Sequence, residues 1–387
     1  MELAWQDSTR SLGWVPFWPT SAPPPAEEVP LGLCHSGGVF AFDPFALVAR
    51  GYLSGPNVLV VGEIGQGKST VVKLLLARSE DRSRSLLVLD PKGEYATQAP
   101  RLAAEVVHLA GDGGVDPFAG CDRRAPRVAS TLGRLARLGL GRELVPLERI
   151  LVGQLARALL ESLDPPSLVA ARDLLARRHL VGRLPLGVQA EAEGRGLELL
   201  GALDRLLEGD LAGVFAPDGA VRALPPRAVV AIDPTWDRAL AAAAVAALIR
   251  ARGVQLAGGQ VAPGYIVLDE AWSLLVDPEA VREIRSLFKL ARAYGASLVA
   301  LTHRLSDLTG EARGIVEDAE TRVVLRQSPG EQAVLREGLG LAGSEVEQIL
   351  GLHRGQALWL LGRHRFLVTH LVLEEERALV DTDGRMR

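Results

Sequence analysis

The sequence predicts an α/β domain built on a mostly parallel central sheet and interrupted by an all-α insertion. Three observations carry that expectation. From Val58 onward, short continuous apolar runs recur between amphipathic stretches, the pattern of strands covered on both faces by helices. A Gly-rich turn follows the first of those runs and opens a helix. Residues 123–222 then hold no convincing strand, while Leu, Ala and Arg recur at helical spacing.

Taken in order, residues 1–30 contain three of the six tryptophans (Trp5, Trp14, Trp18) and the run Pro23-Pro24-Pro25, without periodicity, and read as an extended arm. The α/β domain occupies 31–122 and 223–373 on either side of the insertion, with a tail over 374–387. VLVVG (58–62) is a buried strand followed by a helix through about Arg78. Further strands are expected at LLVLD (86–90), VVHLA (106–110), AVVAID (228–233), YIVLDE (265–270), SLVALT (297–302) and RVVLRQ (322–327). Helices are expected over Asp237–Arg252 and Pro278–Tyr294, which gives the βα alternation of a parallel sheet. The insertion 123–222 carries 15 Arg against 12 Asp and Glu, a local +3. Its arginines, Arg134, Arg137, Arg177 and Arg178 among them, are either ordinary solvated helix faces or a basic face towards nucleic acid or another subunit.

With 387 residues, 48% hydrophobic and 23% charged, the chain can bury a sizeable core, and wholesale disorder is excluded. The two cysteines, Cys34 and Cys121, cannot build a disulfide framework or a four-ligand zinc site, which fits a cytoplasmic setting. The longest uncharged apolar run, Ala239 to Ile249, is half a membrane span, so no integral membrane segment is expected. Nor does the N-terminus show a basic region followed by an apolar core, so no signal peptide is expected. The net charge of −4 argues against coating nucleic acid by bulk charge and leaves a local basic groove open. The basic residues are 39 Arg and four Lys (Lys68, Lys73, Lys92, Lys289), a bias that makes each lysine more informative.

GEIGQGKS (62–69) matches G-x-x-x-x-G-K-[ST] after an apolar strand and at the start of a helix. Gly62, Gly65 and Gly67 let the backbone wrap a polyphosphate with its amides inward, and the helix adds its positive N-terminal end. The expected nucleotide contacts are Gly62, Glu63, Ile64, Gly65, Gln66, Gly67, Lys68, Ser69 and Thr70. Lys68 reaches the β- and γ-phosphates of ATP, and the Ser69 hydroxyl ligates Mg²⁺. YIVLDEAW (265–272) ends a strand in two carboxylates: Asp269 to hold the Mg²⁺ shell, and Glu270 to polarise the attacking water. A kinase would not need the second acid. Other strand ends offer Asp90, Lys92 and Glu94 in LVLDPKGEY, and Thr302 with His303 in VALTHRLSDL, where His303 fits a γ-phosphate sensor.

Together FDPF (42–45), GEIGQGKST, LDPKGEY, VDPF (115–118), VLDEAWSLL (267–275) and FKLARAYGASLVALTHRLSDL (288–308) resemble the ATPases of conjugation and type IV secretion. These form part of the HerA–FtsK superfamily of RecA-like P-loop motors, and the resemblance runs from about Leu31 to Thr382. It implies a homo-hexameric ring with ATP bound between subunits, driving DNA or protein movement from a secretion or conjugation complex at the cytoplasmic membrane face. It also implies an arginine acting from the neighbouring subunit, for which Arg322 comes first, then Arg326 and Arg313. Two departures stand out: the family commonly has Gln where His303 stands, and its secretion members usually carry a large N-terminal domain where this chain has a short arm. A freely acting HerA/FtsK-type DNA translocase and a non-hydrolysing nucleotide-binding scaffold are the alternative readings.

Overall fold

The computed structural model describes residues 28–79, 83–109, 114–119, 124–161, 165–177, 184–216, 224–233, 235–236, 238–270, 281, 284–285, 293–308 and 310–380. Most of the Trp/Pro arm, Cys121, Arg178 and nearly all of the expected helix Pro278–Tyr294 lie outside these residues. The described chain forms two compact units: residues 28–79, 302–307 and 319–380, and residues 83–301 with 308–318.

In the first unit, strands β1 (Pro30–Cys34) and β2 (Val39–Ala41) precede helix α1 (Pro44–Ala49). The FDPF motif explains where α1 begins. The Asp43 carboxylate accepts from the Phe45 and Ala46 N–H groups at 2.8 and 3.3 Å, and Pro44 fills the first helical position, where its missing N–H costs nothing. Strand β3 (Val58–Val61) is buried along its whole length and leads through the Gly-rich turn into helix α2 (Lys68–Arg78).

At the C-terminal end of α2, Arg78 donates to both Glu376 carboxylate oxygens (2.6 and 2.5 Å) and to the carbonyls of Pro30 and Leu371 (2.6 Å each). One guanidinium thereby ties the helix to the first strand and to the chain after the last one, using the planar fork that suits a carboxylate.

The second unit begins with β4 (Ser85–Asp90) and β5 (Glu105–His108). Helices α3 (Ala125–Leu140), α4 (Pro146–Glu161), α5 (Leu168–Ala176) and α6 (Leu186–Leu207) follow, before the sheet resumes at β6 (Arg227–Ala231). Next come α7 (Arg238–Ala257), β7 (Gly264–Leu268), β8 (Ser297–Thr302) and helix α8 (Arg313–Asp318). The strands are neighbours in the order β8-β7-β4-β6-β5, and every recorded pairing among them is parallel. β4, β7 and β8 are buried throughout, as continuous apolar strands between helices should be.

The chain returns to the first unit with β9 (Thr321–Val324), α9 (Gln332–Leu339), α10 (Gly343–Gly351), β10 (Gln356–Leu361), β11 (His364–His370) and α11 (Arg377–Val380). Here the neighbour order is β2-β1-β11-β10-β9-β3, with β3 and β9 parallel and the remaining pairs antiparallel. Trp359 of β10 is fully buried, with the rings of Phe40 and Phe42 centred 4.8 and 5.0 Å from its own.

Helix α7 departs from the sequence expectation. At 20 residues it is long and apolar enough to span a bilayer by length and composition, although 67% of its apolar window is buried inside the protein. The uncharged run understated it because it stops at Arg250, whereas the helix continues through both Arg250 and Arg252; Arg252 lies deeper. The Arg252 side chain is buried and donates to the Pro225 and Pro226 carbonyls at 2.6 and 2.9 Å.

The insertion's arginines are divided: Arg124, Arg127, Arg149 and Arg157 are exposed, while others are buried or paired. Arg134 is buried on the same helix stripe as Val128, Thr131 and Leu135. Arg137 pairs with Glu143 at 3.4 Å, and Arg172 with Glu208 at 2.7 Å. Arg142 donates to the buried Glu148 carboxylate at 2.7 Å and also pairs with Glu198, so it links α4 to α6. Arg142 holds the Glu148 carboxyl below its ordinary range. Arg177, at the end of α5, is exposed.

Candidate functional site

The phosphate-type loop lies in the first unit. Gly65 and Gly67 have φ of +78° and +102°, left-handed values that a side chain disfavours, and a Cβ on Gly65 would meet nothing within 4 Å. The loop is therefore open on its Gly65 side, with Ile64 exposed. Its entry is fixed by backbone bonds: Gly62 N–H to the Thr302 carbonyl at 3.3 Å, and Glu63 N–H to the Arg326 carbonyl at 3.1 Å.

Gly67 caps α2, so Lys68 is the first helical residue and the helix's unpaired N–H groups face the loop. The Lys68 ammonium donates to the carbonyls of Gly62 (2.6 Å) and Glu63 (3.1 Å) and to His303 Nδ1 (2.9 Å). An ammonium has only donors, so Nδ1 is the acceptor and His303 carries its proton on Nε2. Gln327, not singled out from sequence, braces this corner by donating to the carbonyls of His303 (3.4 Å) and Arg326 (3.2 Å).

The acidic residues lie in the second unit, where β4 and β7 are paired in parallel with Leu89 opposite Leu268. Their C-terminal ends are therefore adjacent, and the residues that follow them meet. Asp90, fully buried, accepts from the N–H groups of Glu94 (3.0 Å), Tyr95 (2.7 Å) and Ala96 (3.1 Å), which makes it a turn-builder. Asp116 of VDPF does the same on a smaller scale, accepting from Phe118 N–H at 2.8 Å.

Asp269 is buried, and its N–H donates to the Leu89 carbonyl at 3.3 Å. Burial, then the charges of Glu94, Glu270 and Asp90, push its carboxyl up to about 6, against a hydrogen bond from Glu270 N–H that works the other way. A divalent cation would relieve that repulsion, so the donor set suits Mg²⁺. No group of three or more protein ligands able to hold a metal alone occurs among the described residues. That fits an ion which takes most of its ligands from phosphate and water.

Glu270 has φ +53°, a strained conformation for a residue with a side chain. Its N–H donates to Asp269 Oδ1 at 2.9 Å, and its carboxylate forms an ion pair with Lys92. Burial alone would lower the Lys92 ammonium, but the bond and charge of Glu270 outweigh it and leave Lys92 raised.

The arginines expected to act across a subunit boundary are differently placed. Arg322 lies inside β9, in register with Leu59 of β3 and Leu360 of β10, and is half-buried. Burial, and to a lesser degree the charge of Arg365, lowers its guanidinium. Arg326 lies beyond the strand's C-terminal end and approaches Glu63 of its own loop at 3.8 Å. Arg313, the first residue of α8, is exposed.

The model for the helicase HerA central domain matches residues 55–116, the segment that contains the Gly-rich loop, LDPKGEY and the start of VDPF. No curated protein matches the chain. The solved structure of VirB4 of Thermoanaerobacter pseudethanolicus is similar with a TM-score of 0.77 at 19% identity, over 92% of this chain and 100% of that one. The plasmid coupling protein TrwB in complex with the ATP analogue ADPNP gives 0.57 at 17% identity, over 84% and 87%. TrwB in complex with ADP and Mg²⁺ gives 0.54 at 17% identity, over 82% and 86%. At such identities the likeness is one of fold. That likeness gives the chain the RecA-like α/β fold of these P-loop proteins.

Proposed function

We propose that this chain is the ATP-hydrolysing subunit of a ring motor serving conjugative transfer or a type IV secretion-like system, and that it couples turnover to movement of DNA or protein. The observation that carries the reading is Lys68. It is held at the N-terminus of α2 between two loop carbonyls and the ring of His303. A triphosphate in the open loop would draw that ammonium and the helix dipole towards its negative oxygens. TrwB has been captured with ADPNP and with ADP and Mg²⁺, which supports the same ligands here.

Each residue then has a task. The loop 62–70 would cradle phosphate, and Ser69 and Asp269 would hold Mg²⁺, which would supply neutralising positive charge to the phosphates. His303 Nε2–H is a donor to the γ-phosphate, and Glu270 orients and polarises water. A homo-hexamer at the cytoplasmic face of a membrane complex is the assembly this reading favours. The test is phosphate release by the purified chain with Mg²⁺ and ATP, alongside Lys68→Ala. Removing the ammonium should lower turnover by about two to three decades, the effect of roughly 3–4 kcal/mol in the transition state. Equal turnover in the two proteins would refute it. Strong stimulation of the isolated protein by DNA would instead favour a freely acting translocase.

A further inference from the structure

We propose that Lys92 is a positioning residue for hydrolysis, which aims the Glu270 carboxylate by ion pairing from the neighbouring strand end. The inference rests on the reading of Glu270 as the group that polarises water. Three observations carry it. Because β4 and β7 pair in parallel, the LDPKGEY turn lies beside the DE pair by register alone. The turn is rigid, since the buried Asp90 carboxylate fixes three successive N–H groups within it. Glu270 sits in a left-handed conformation, held by its N–H on Asp269 and by the Lys92 ion pair. Strain of that kind, of order 1–3 kcal/mol, persists only where the surroundings over-determine the residue.

The chemistry favours aiming over blocking. The pair is made through Oε1, one of the two carboxylate oxygens, each of which can accept more than one hydrogen bond. The Glu270 side chain is 7% exposed and that of Lys92 is 44% exposed, so the carboxylate end is shielded from solvent while the lysine stem reaches in from the rim. An exposed ion pair would be worth little, whereas one with a buried carboxylate fixes that group's direction.

The experiment measures ATP affinity and kcat for wild type, Lys92→Ala, Lys92→Met, Lys92→Arg, Glu270→Gln and the Lys92→Ala/Glu270→Gln double variant. Loss of aim should lower kcat about 10- to 100-fold in the Ala and Met variants with ATP affinity unchanged, and Arg should recover much of the loss. In the Glu270→Gln background, Lys92→Ala should add less than about threefold, because a residue acting through Glu270 has nothing left to aim. A kcat equal to or above that of wild type in folded Lys92→Ala or Lys92→Met would overturn the proposal. So would losses that multiply in the double variant, which would make Lys92 a direct ligand of the nucleotide. A wild type that binds ATP without turnover would remove the hydrolytic reading itself, and this inference with it.

Discussion

His370 makes folding of the first unit depend on pH in a direction fixed by its hydrogen bonds. It ends β11, buried, and accepts from Trp359 Nε1–H at Nε2 over 3.0 Å. Nδ1 must then carry the proton, which it donates to the Gly355 carbonyl at 2.9 Å. Protonation would set N–H against N–H. Burial, with a smaller contribution from the Arg78 charge, lowers the ring to about 4 despite the opposing hydrogen bond to Gly355. The unfolded chain, with an ordinary histidine near 6.5, binds the proton first. Stability from this residue is therefore complete above about pH 6.5 and is lost as pH falls towards about 4. A shift of that size corresponds to about 3 kcal/mol. Urea unfolding of wild type and His370→Gln at pH 7.5, 5.5 and 4.5 isolates the effect. Over that window wild type should lose about 2–3 kcal/mol more than the variant, whose amide meets both partners and does not titrate. Equal losses in the two proteins would refute the assignment.

Two further perturbations test packing and assembly. A Cβ on Gly139 of α3 would lie 2.2 Å from the Ala202 carbonyl oxygen of α6, so Gly139→Ala should force the helices apart and cost about 1–3 kcal/mol; unchanged thermal stability would contradict that contact. For the subunit boundary, inactive Lys68→Ala is mixed with inactive variants of Arg313, Arg322 or Arg326. Partial rescue identifies the arginine that completes its neighbour's site; exposure favours Arg313, while Arg326, beside its own loop, should give none, and rescue by Arg326→Ala would reverse that assignment.

Much of this was legible in the sequence because the signals are local. The glycines of the phosphate loop, the lysine that follows and the buried strands β3, β4, β7 and β8 all declare themselves within a few residues. β1, β2, β10 and β11 did not, because β1 gains one of its two partners from β11 at the far end of the chain and β11 opens with His364 and Arg365. Spacing alone could not sort the insertion's arginines: Arg134 shares the apolar stripe of α3 and is drawn inward, whereas Arg177 is exposed. The Lys92–Glu270 pair depends on which strand lies beside β4, a fact of topology that spacing does not encode. The role of Asp90 was hidden in the same way, since only the turn reveals that its carboxylate is spent on backbone N–H groups.

The measurement closest to the central claim is ATP binding and phosphate release on the same samples of wild type and Glu270→Gln. The amide keeps the shape of the side chain but loses the charge that polarises water, and it leaves Lys68 and its loop untouched. The expected result is wild-type ATP affinity with phosphate release lower by about 10²–10⁴-fold, and a more oligomeric, ATP-trapped protein. Phosphate release near the wild-type rate, or loss of ATP binding in a folded variant, would contradict the account.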